Sequence, residues 1–262
     1  MEMNTRTLTL ERIFQPNDAH LGTLVSGLSG SGKTTALKYG LVNAVGSKEF
    51  GKKHRFVIVD PKQQEGDYDI LTEPIMDLTV AKNSIRKERV TVYWPEIEFL
   101  EDDTSELINY VFDLSAQDPE TSFTFVIDEA ATLITGNRIP MAVKKLSVQG
   151  RSKRIMPIYV SQRPLLNRWT DGNMSNMLLF RILPVDADVL SKRWGIDFTA
   201  VSEKIALKPY SFMWFDLETA DMKMMEPVPI DEIKPPKDPK ERESVKNHAP
   251  VGLSWFANLG LK

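Results

Sequence analysis

The chain has 262 residues, 42% hydrophobic and 26% charged, a balance that can bury a sizeable core in one large domain. Its 33 Lys and Arg against 36 Asp and Glu give a net charge of −3, which excludes a generally basic surface, so any nucleic-acid contact must be a local patch. Cysteine is absent, which excludes disulfide frameworks, thiolate metal sites and thiol nucleophiles, and His20, His54 and His248 share no metal-ligand spacing.

Residues 1–14 are polar and charged, unlike a secretory signal, and no apolar run approaches the roughly 20 residues of a membrane span. The chain is therefore expected inside a cell, or made there and then packaged. An apolar run at 21–25 predicts the first strand, and a helix-forming run follows at 36–45. Between them lies Gly27-Leu28-Ser29-Gly30-Ser31-Gly32-Lys33-Thr34-Thr35, which matches G-x-x-x-x-G-K-[ST] in its required strand–loop–helix context. Glycines let such a loop curl until successive backbone N–H groups face phosphate oxygens, and the helix N-terminus adds partial positive charge. Lys33 is expected to reach the β- and γ-phosphates, and the Thr34 hydroxyl to bind Mg²⁺.

A second buried strand is predicted at 54–60, ending in Asp60, and a third at 90–94, with a helix over 104–116. Residues 123–127 (Phe-Thr-Phe-Val-Ile) read as a buried parallel strand that ends in Asp128-Glu129. A carboxylate at that end of a strand faces the crevice where open α/β sheets hold their ligands. Asp128 is assigned to Mg²⁺, and Glu129 to the water that attacks the γ-phosphate. No Asn-Lys-x-Asp guanine-reading motif occurs, so the nucleotide is expected to be ATP.

Further on, Pro140 and Gly150 bracket a predicted helix at 141–149. Strands follow at 155–160 and 177–183, a helix at 186–194, and a hairpin from 211–215 and 222–225. This alternation predicts an α/β fold, a mostly parallel central sheet between helices, with a C-terminal β-hairpin. From Pro227 the composition turns to Pro and Lys, so residues 1–226 are assigned to the main domain and 227–262 to an extended tail. The tail ends in an apolar tip at 251–261, whose Trp255 and Phe256 are candidate anchors for a neighbouring subunit, a capsid component or a membrane face. A strap folding back on its own domain is the alternative.

Three stretches set beside the glycine-rich loop carry a family resemblance. They are Val59-Asp60-Pro61-Lys62, Val126-Ile127-Asp128-Glu129-Ala130, and Gly150-Arg151 followed by Ser161-Gln162-Arg163-Pro164. In this order, across residues 21–183, they resemble the FtsK–HerA superfamily of DNA-pumping P-loop ATPases, with its three-layer RecA/FtsK-like fold. The resemblance implies that Gln162 senses the γ-phosphate. It also implies that Arg151, or failing it Arg154, reaches a neighbour's nucleotide, although Arg154 stands where the family usually has glycine. The dense basic run of Lys144, Lys145, Arg151, Lys153 and Arg154 could instead meet DNA in part, or be a solvated face.

The pattern looks most like the genome-packaging ATPases of icosahedral viruses with an internal membrane. That implies a homo-oligomeric ring, taken as a hexamer, that pushes double-stranded DNA into a preformed capsid. It would work in the host cytoplasm and at a virion vertex, where the tail could meet a capsid or membrane-vertex protein. A plasmid or conjugative DNA-transfer motor of the same superfamily, or a nucleotide-dependent assembly switch without translocation, are the alternatives.

Overall fold

The computed structural model describes residues 22–47, 50–136, 138–164 and 167–235. They build one eight-stranded sheet in the order β3-β2-β4-β5-β1-β6-β7-β8. The strands are β1 (Thr23–Ser26), β2 (His54–Val59), β3 (Val90–Tyr93), β4 (Ser122–Ile127), β5 (Ile155–Ser161), β6 (Asn176–Leu179), β7 (Phe212–Asp216) and β8 (Met222–Met225). The first six run parallel, and β7 and β8 close one edge as an antiparallel hairpin. The described helices are α1 (Lys33–Gly46), α2 (Leu78–Lys87), α3 (Leu100–Gln117), α4 (Met141–Gln149), α5 (Arg168–Asp171), α6 (Pro184–Trp194) and α7 (Phe198–Ala206).

Both faces of the sheet are covered, which is why its strands are almost continuously apolar. Alternate side chains of each strand go to opposite layers. On β2, Val57 and Val59 join the core beneath α2, α3, α4, α6 and α7, whereas Phe56 and Ile58 join the core beneath α1. The same division separates Tyr159 from Val160 on β5 and Leu24 from Val25 on β1. The three layers expected from the alternation of elements are thus present, and no described helix is long and apolar enough to cross a membrane.

Several boundaries differ from the sequence reading. Helix α3 starts at Leu100 rather than 104: no side chain caps it, and Glu101, Asp102 and Asp103 complement the helix dipole in its first turn. Helices α2 and α7 escaped the periodicity reading because each buries only two or three apolar residues. Both were signalled by an N-cap aspartate: Asp77 accepts from the Val80 N–H, and Asp197 from the N–H groups of Thr199 and Ala200. Strand β6 ends at Leu179, not 183, because the chain then turns into α6, which opens with Pro184. Packing against the sheet's layers also continues past 226. Val228 and Ile233 pack against the α1-side core, and Tyr39 donates to Glu232 Oε2 at 3.1 Å. The apolar tip with Trp255 and Phe256 lies outside the described residues.

His54, at the entry of β2, is structural. Its ring nitrogens sit 2.8 Å from Ser122 Oγ and 3.0 Å from Thr124 Oγ1, and the ring contacts Phe50 and Phe56. Burial, reinforced by the nearby Arg89, pushes its pKa down to about 3. An unfolded chain would protonate this histidine near pH 6.5 while the folded one holds it neutral, so its contribution to stability is full above that pH and falls as pH drops toward 3. His54→Gln is therefore expected to be less stable than the parent at pH 7.5 and to close that gap by pH 4.5, as read by melting temperature. A gap that stays constant would mean that His54 is not held neutral.

Candidate active site

The glycine-rich loop leaves the end of β1 at the centre of the sheet, wedged between the ends of β5 and β6. The Gly27 N–H donates to the Ser161 carbonyl at 3.2 Å and the Leu28 N–H to the Arg181 carbonyl at 2.7 Å. Gly27 is dictated by space: a Cβ there would stand 2.5 Å from the Phe180 Cβ. Gly32, at φ 99°, makes the left-handed turn into α1 that other residues resist. The first N–H groups of α1 have no partner within the helix, so the cradle is built to hold an anion.

Lys33 closes over this cradle. Its Nζ donates to the carbonyls of Gly27 at 2.7 Å and Leu28 at 2.9 Å. Burial lowers its pKa, partly offset by the charges of Glu129 and Asp128. Leu28 through Thr35 complete the loop and the first turn of α1, with Ser29 and Gly30 exposed and Ser31 Oγ buried without a hydrogen-bond partner.

Two strands away, β4 delivers Asp128 and Glu129 to the same edge. Asp128 is fully buried, and its N–H donates to the Val59 carbonyl at 2.9 Å. Its Oδ2 takes three polar neighbours together with its Oδ1: the Lys62 ammonium lies 2.9 Å from Oδ2, Tyr68 donates to Oδ2 at 3.1 Å, and the Glu129 N–H donates to Oδ1 at 2.7 Å. Glu129 stands at φ 47°, ψ 44°, a left-handed conformation unusual for glutamate, held by Thr132, whose N–H and hydroxyl both donate to the Glu129 carbonyl. The side chain, half-buried, takes no part in these bonds.

Asp60, at the end of β2, flanks Asp128. It is fully buried, accepts from the Lys62 N–H at 3.1 Å through Oδ1, and keeps Oδ2 without a partner. Burial first, and then the charge of Asp128, pushes its pKa up to about 6. Tyr68 is also fully buried, and burial together with these carboxylates pushes its hydroxyl pKa well up.

Between β4 and β1 runs β5, whose Ser161 is in register with Ser26. Gln162, one residue on, is exposed beside Gly27, and Arg163 ties the turn to α6 by donating from Nη2 to Asp186 Oδ1 at 2.5 Å. The glycine loop, Asp128, Glu129 and Gln162, far apart in sequence, thus share one edge of the sheet.

Arg151 and Arg154 do not join them. They precede β5, a strand of 7 residues, so they lie on the opposite edge, about 23 Å away at 3.3 Å per residue. Neither can reach the loop of its own subunit. Arg154 is held at φ 53° with its carbonyl accepting from the Phe123 N–H at 2.9 Å; this is a backbone position that suits glycine, the residue the resemblance expects there. Arg151 is exposed in the preceding turn. In the rest of the basic run, Lys144 lies over the Trp169 ring at 3.8 Å and Lys145 over Phe112 at 4.2 Å.

Among the described residues no three His, Cys, Asp or Glu side chains cluster as a metal site. Thr34 and Asp128 nevertheless suit Mg²⁺. The Lys62 ammonium lies 3.5 Å from Thr34 Oγ1 and 2.9 Å from Asp128 Oδ2, so a cation fits between them. Hydroxyl and carboxylate oxygens are the hard ligands Mg²⁺ takes, with phosphates and water completing its shell. Motif reading singled out Lys62 but gave it no role, and missed Tyr68 and Tyr210. A Cβ at Gly32 would stand 3.4 Å from Tyr210, itself in the left-handed region at φ 64°.

The fold is that of the P-loop ATPases, with the sheet order that puts one strand between the glycine-loop strand and the acidic strand. Among solved structures, the chain resembles the genome-packaging NTPase B204 from Sulfolobus turreted icosahedral virus 2 in complex with ATPγS, at 19% identity and a TM-score of 0.64, over 79% of this chain and 98% of that one. It also resembles VirB4 of Thermoanaerobacter pseudethanolicus, at 11% identity and a TM-score of 0.56, over 84% of this chain and 90% of that one. The cytoplasmic domain of the Thermomonospora curvata type VII secretion ATPase EccC matches at 10% identity and a TM-score of 0.51, over 81% of this chain and 24% of that one. No protein-family model and no curated protein sequence matches the chain.

Proposed function

We propose that this protein is an ATPase that translocates double-stranded DNA and packages a viral genome into a preformed capsid. The observation that carries the reading is the gathering of Lys33, Thr34, Asp128, Glu129 and Gln162 at one sheet edge, in a fold like that of a packaging NTPase matched over 98% of its length.

Lys33 exchanges its two loop carbonyls for the β- and γ-phosphate oxygens of ATP, while the loop N–H groups hold the α- and β-phosphates. Thr34 and Asp128 would hold Mg²⁺, which would supply positive charge beside the phosphates. Glu129 orients a water in line with the γ-phosphate and accepts its proton as the bond to the β-phosphate oxygen breaks. Gln162 contacts the γ-phosphate and registers its loss. Arg151 of a neighbouring subunit, reaching across from its opposite edge, stabilises the transferring phosphoryl group, which makes the enzyme a homo-oligomeric ring with a hexamer as the working size.

Movement along DNA would come from opening and closing of subunit interfaces, through contacts to phosphates that ignore sequence. The work would be done in the host cytoplasm at a virion vertex, where the C-terminal tail meets a capsid or membrane-vertex protein. The likeness to VirB4 favours a second reading, a conjugative DNA-transfer motor with the same site.

The test is ATP-dependent displacement of a triplex-forming strand from linear duplex DNA, followed by nuclease protection of that DNA when empty capsids are added. Displacement with protection supports packaging. Displacement without it favours transfer, and DNA-independent ATP turnover by a monomer overturns both in favour of an assembly switch.

A further inference from the structure

Lys62 occupies a position the phosphate-loop chemistry does not account for. Its ammonium touches the two side chains assigned to the metal, 2.9 Å from Asp128 Oδ2 and 3.5 Å from Thr34 Oγ1. Its backbone N–H caps Asp60 Oδ1 at 3.1 Å, so the residue is anchored at the end of β2 while its long stem can swing. The site needs positive charge: Asp128 and Asp60 are both fully buried at neighbouring strand ends, and Asp60 Oδ2 has no partner. A buried carboxylate without a compensating cation is strongly destabilising. The Lys62 side chain is 30% exposed, which leaves it a way out toward solvent.

We infer that Lys62 is an internal stand-in for the divalent cation: its ammonium holds the metal position between Thr34 and Asp128 while no nucleotide is bound, and arrival of the metal with a nucleotide displaces it. The inference rests on the assignment of Thr34 and Asp128 as metal ligands and needs neither DNA nor turnover. An ammonium and Mg²⁺ cannot share this gap, since Mg²⁺ draws its oxygens in to about 2.1 Å and the two cations repel. Without metal the site is therefore stable and does not collect free Mg²⁺.

The test follows melting temperature of the nucleotide-free protein during Mg²⁺ titration, with ionic strength held constant. The parent should show little response. Lys62→Met, which keeps the aliphatic stem and removes the charge, should melt lower without metal and be restored by Mg²⁺, with a midpoint at least about tenfold below that of the parent, because a competing cation has gone. Adding Asp128→Asn should abolish that response. Equal Mg²⁺ responses in parent and Lys62→Met, or a response that survives Asp128→Asn, would overturn the inference.

Should Lys62→Met not fold, reductive methylation of the parent protein, read by mass spectrometry, decides the matter. The Lys62 rate should change severalfold between ATPγS with EDTA and ATPγS with Mg²⁺, whereas Lys82, paired with Glu106 away from the site, should not change. A Lys62 rate indifferent to Mg²⁺ overturns the inference. Failure of a fluorescent ATP analogue to bind the parent at all would sink the ATPase reading instead, and the melting experiment would still judge Lys62.

Discussion

Glu129→Gln is expected to bind ATP as tightly as the parent and to lose turnover by about 10²–10⁴-fold, the usual contribution of a positioned general base. Glutamine keeps the shape of the side chain and its reach toward a water, but an amide cannot take the proton that the attacking water must lose. The substitution should leave the scaffold alone, because Glu129 is held through its backbone: its N–H meets Asp128 Oδ1 and its carbonyl meets Thr132. The left-handed backbone costs glutamine and glutamate alike, so the melting temperature should not move. Equilibrium binding of a fluorescent analogue and single-turnover phosphate release separate the two effects. Turnover at the parent rate would remove Glu129 from the chemistry.

Arg151→Ala should lower turnover by roughly 10³–10⁵-fold, the range of arginine fingers supplied to phosphoryl transfer. Lys33→Ala should be inactive for a separate reason, the loss of its phosphate contact. Because Arg151 lies at the far edge of its own sheet, the proposed trans arginine puts the two defects in different composite sites. Mixing the inactive proteins should therefore restore activity, at interfaces where the glycine loop of an Arg151→Ala subunit meets the intact arginine of a Lys33→Ala subunit. No recovery at any mixing ratio would count against a shared site. Arg154→Ala should instead act mainly on stability, since Arg154 forms the entry to β5 and its Nε is buried.

What could be read directly from the residues was whatever depends on local chemistry. The glycine loop announces itself because only glycine fits against Phe180 and turns left-handed into α1. The acidic strand end of β4 is legible because a strand buried from Phe123 onward, mostly apolar, ends abruptly in charge. Helices α2 and α7 were hidden because they lie against the core through few side chains, leaving their Asp77 and Asp197 caps as the stronger sign. The roles of Lys62 and Tyr68 were not legible, since they depend on β2 and β4 being neighbours in the sheet although β3 and two helices separate them in the chain. The placement of Arg151 turns on the same fact. Motif order gives a residue's strand, and only topology gives the edge on which it stands.

The pinning of the glycine loop bears on what the ligand can and cannot change. With Gly27 tied to Ser161 on β5, Leu28 tied to Arg181 just past β6, and Phe180 filling the space beside them, the start of the cradle is held by the sheet itself. Little conformational entropy is lost at those two residues on binding. Whatever motion a catalytic cycle produces must originate in parts that are less tightly held: the ammonium stems of Lys33 and Lys62, the exposed amide of Gln162, and the seam between one copy of the chain and the next.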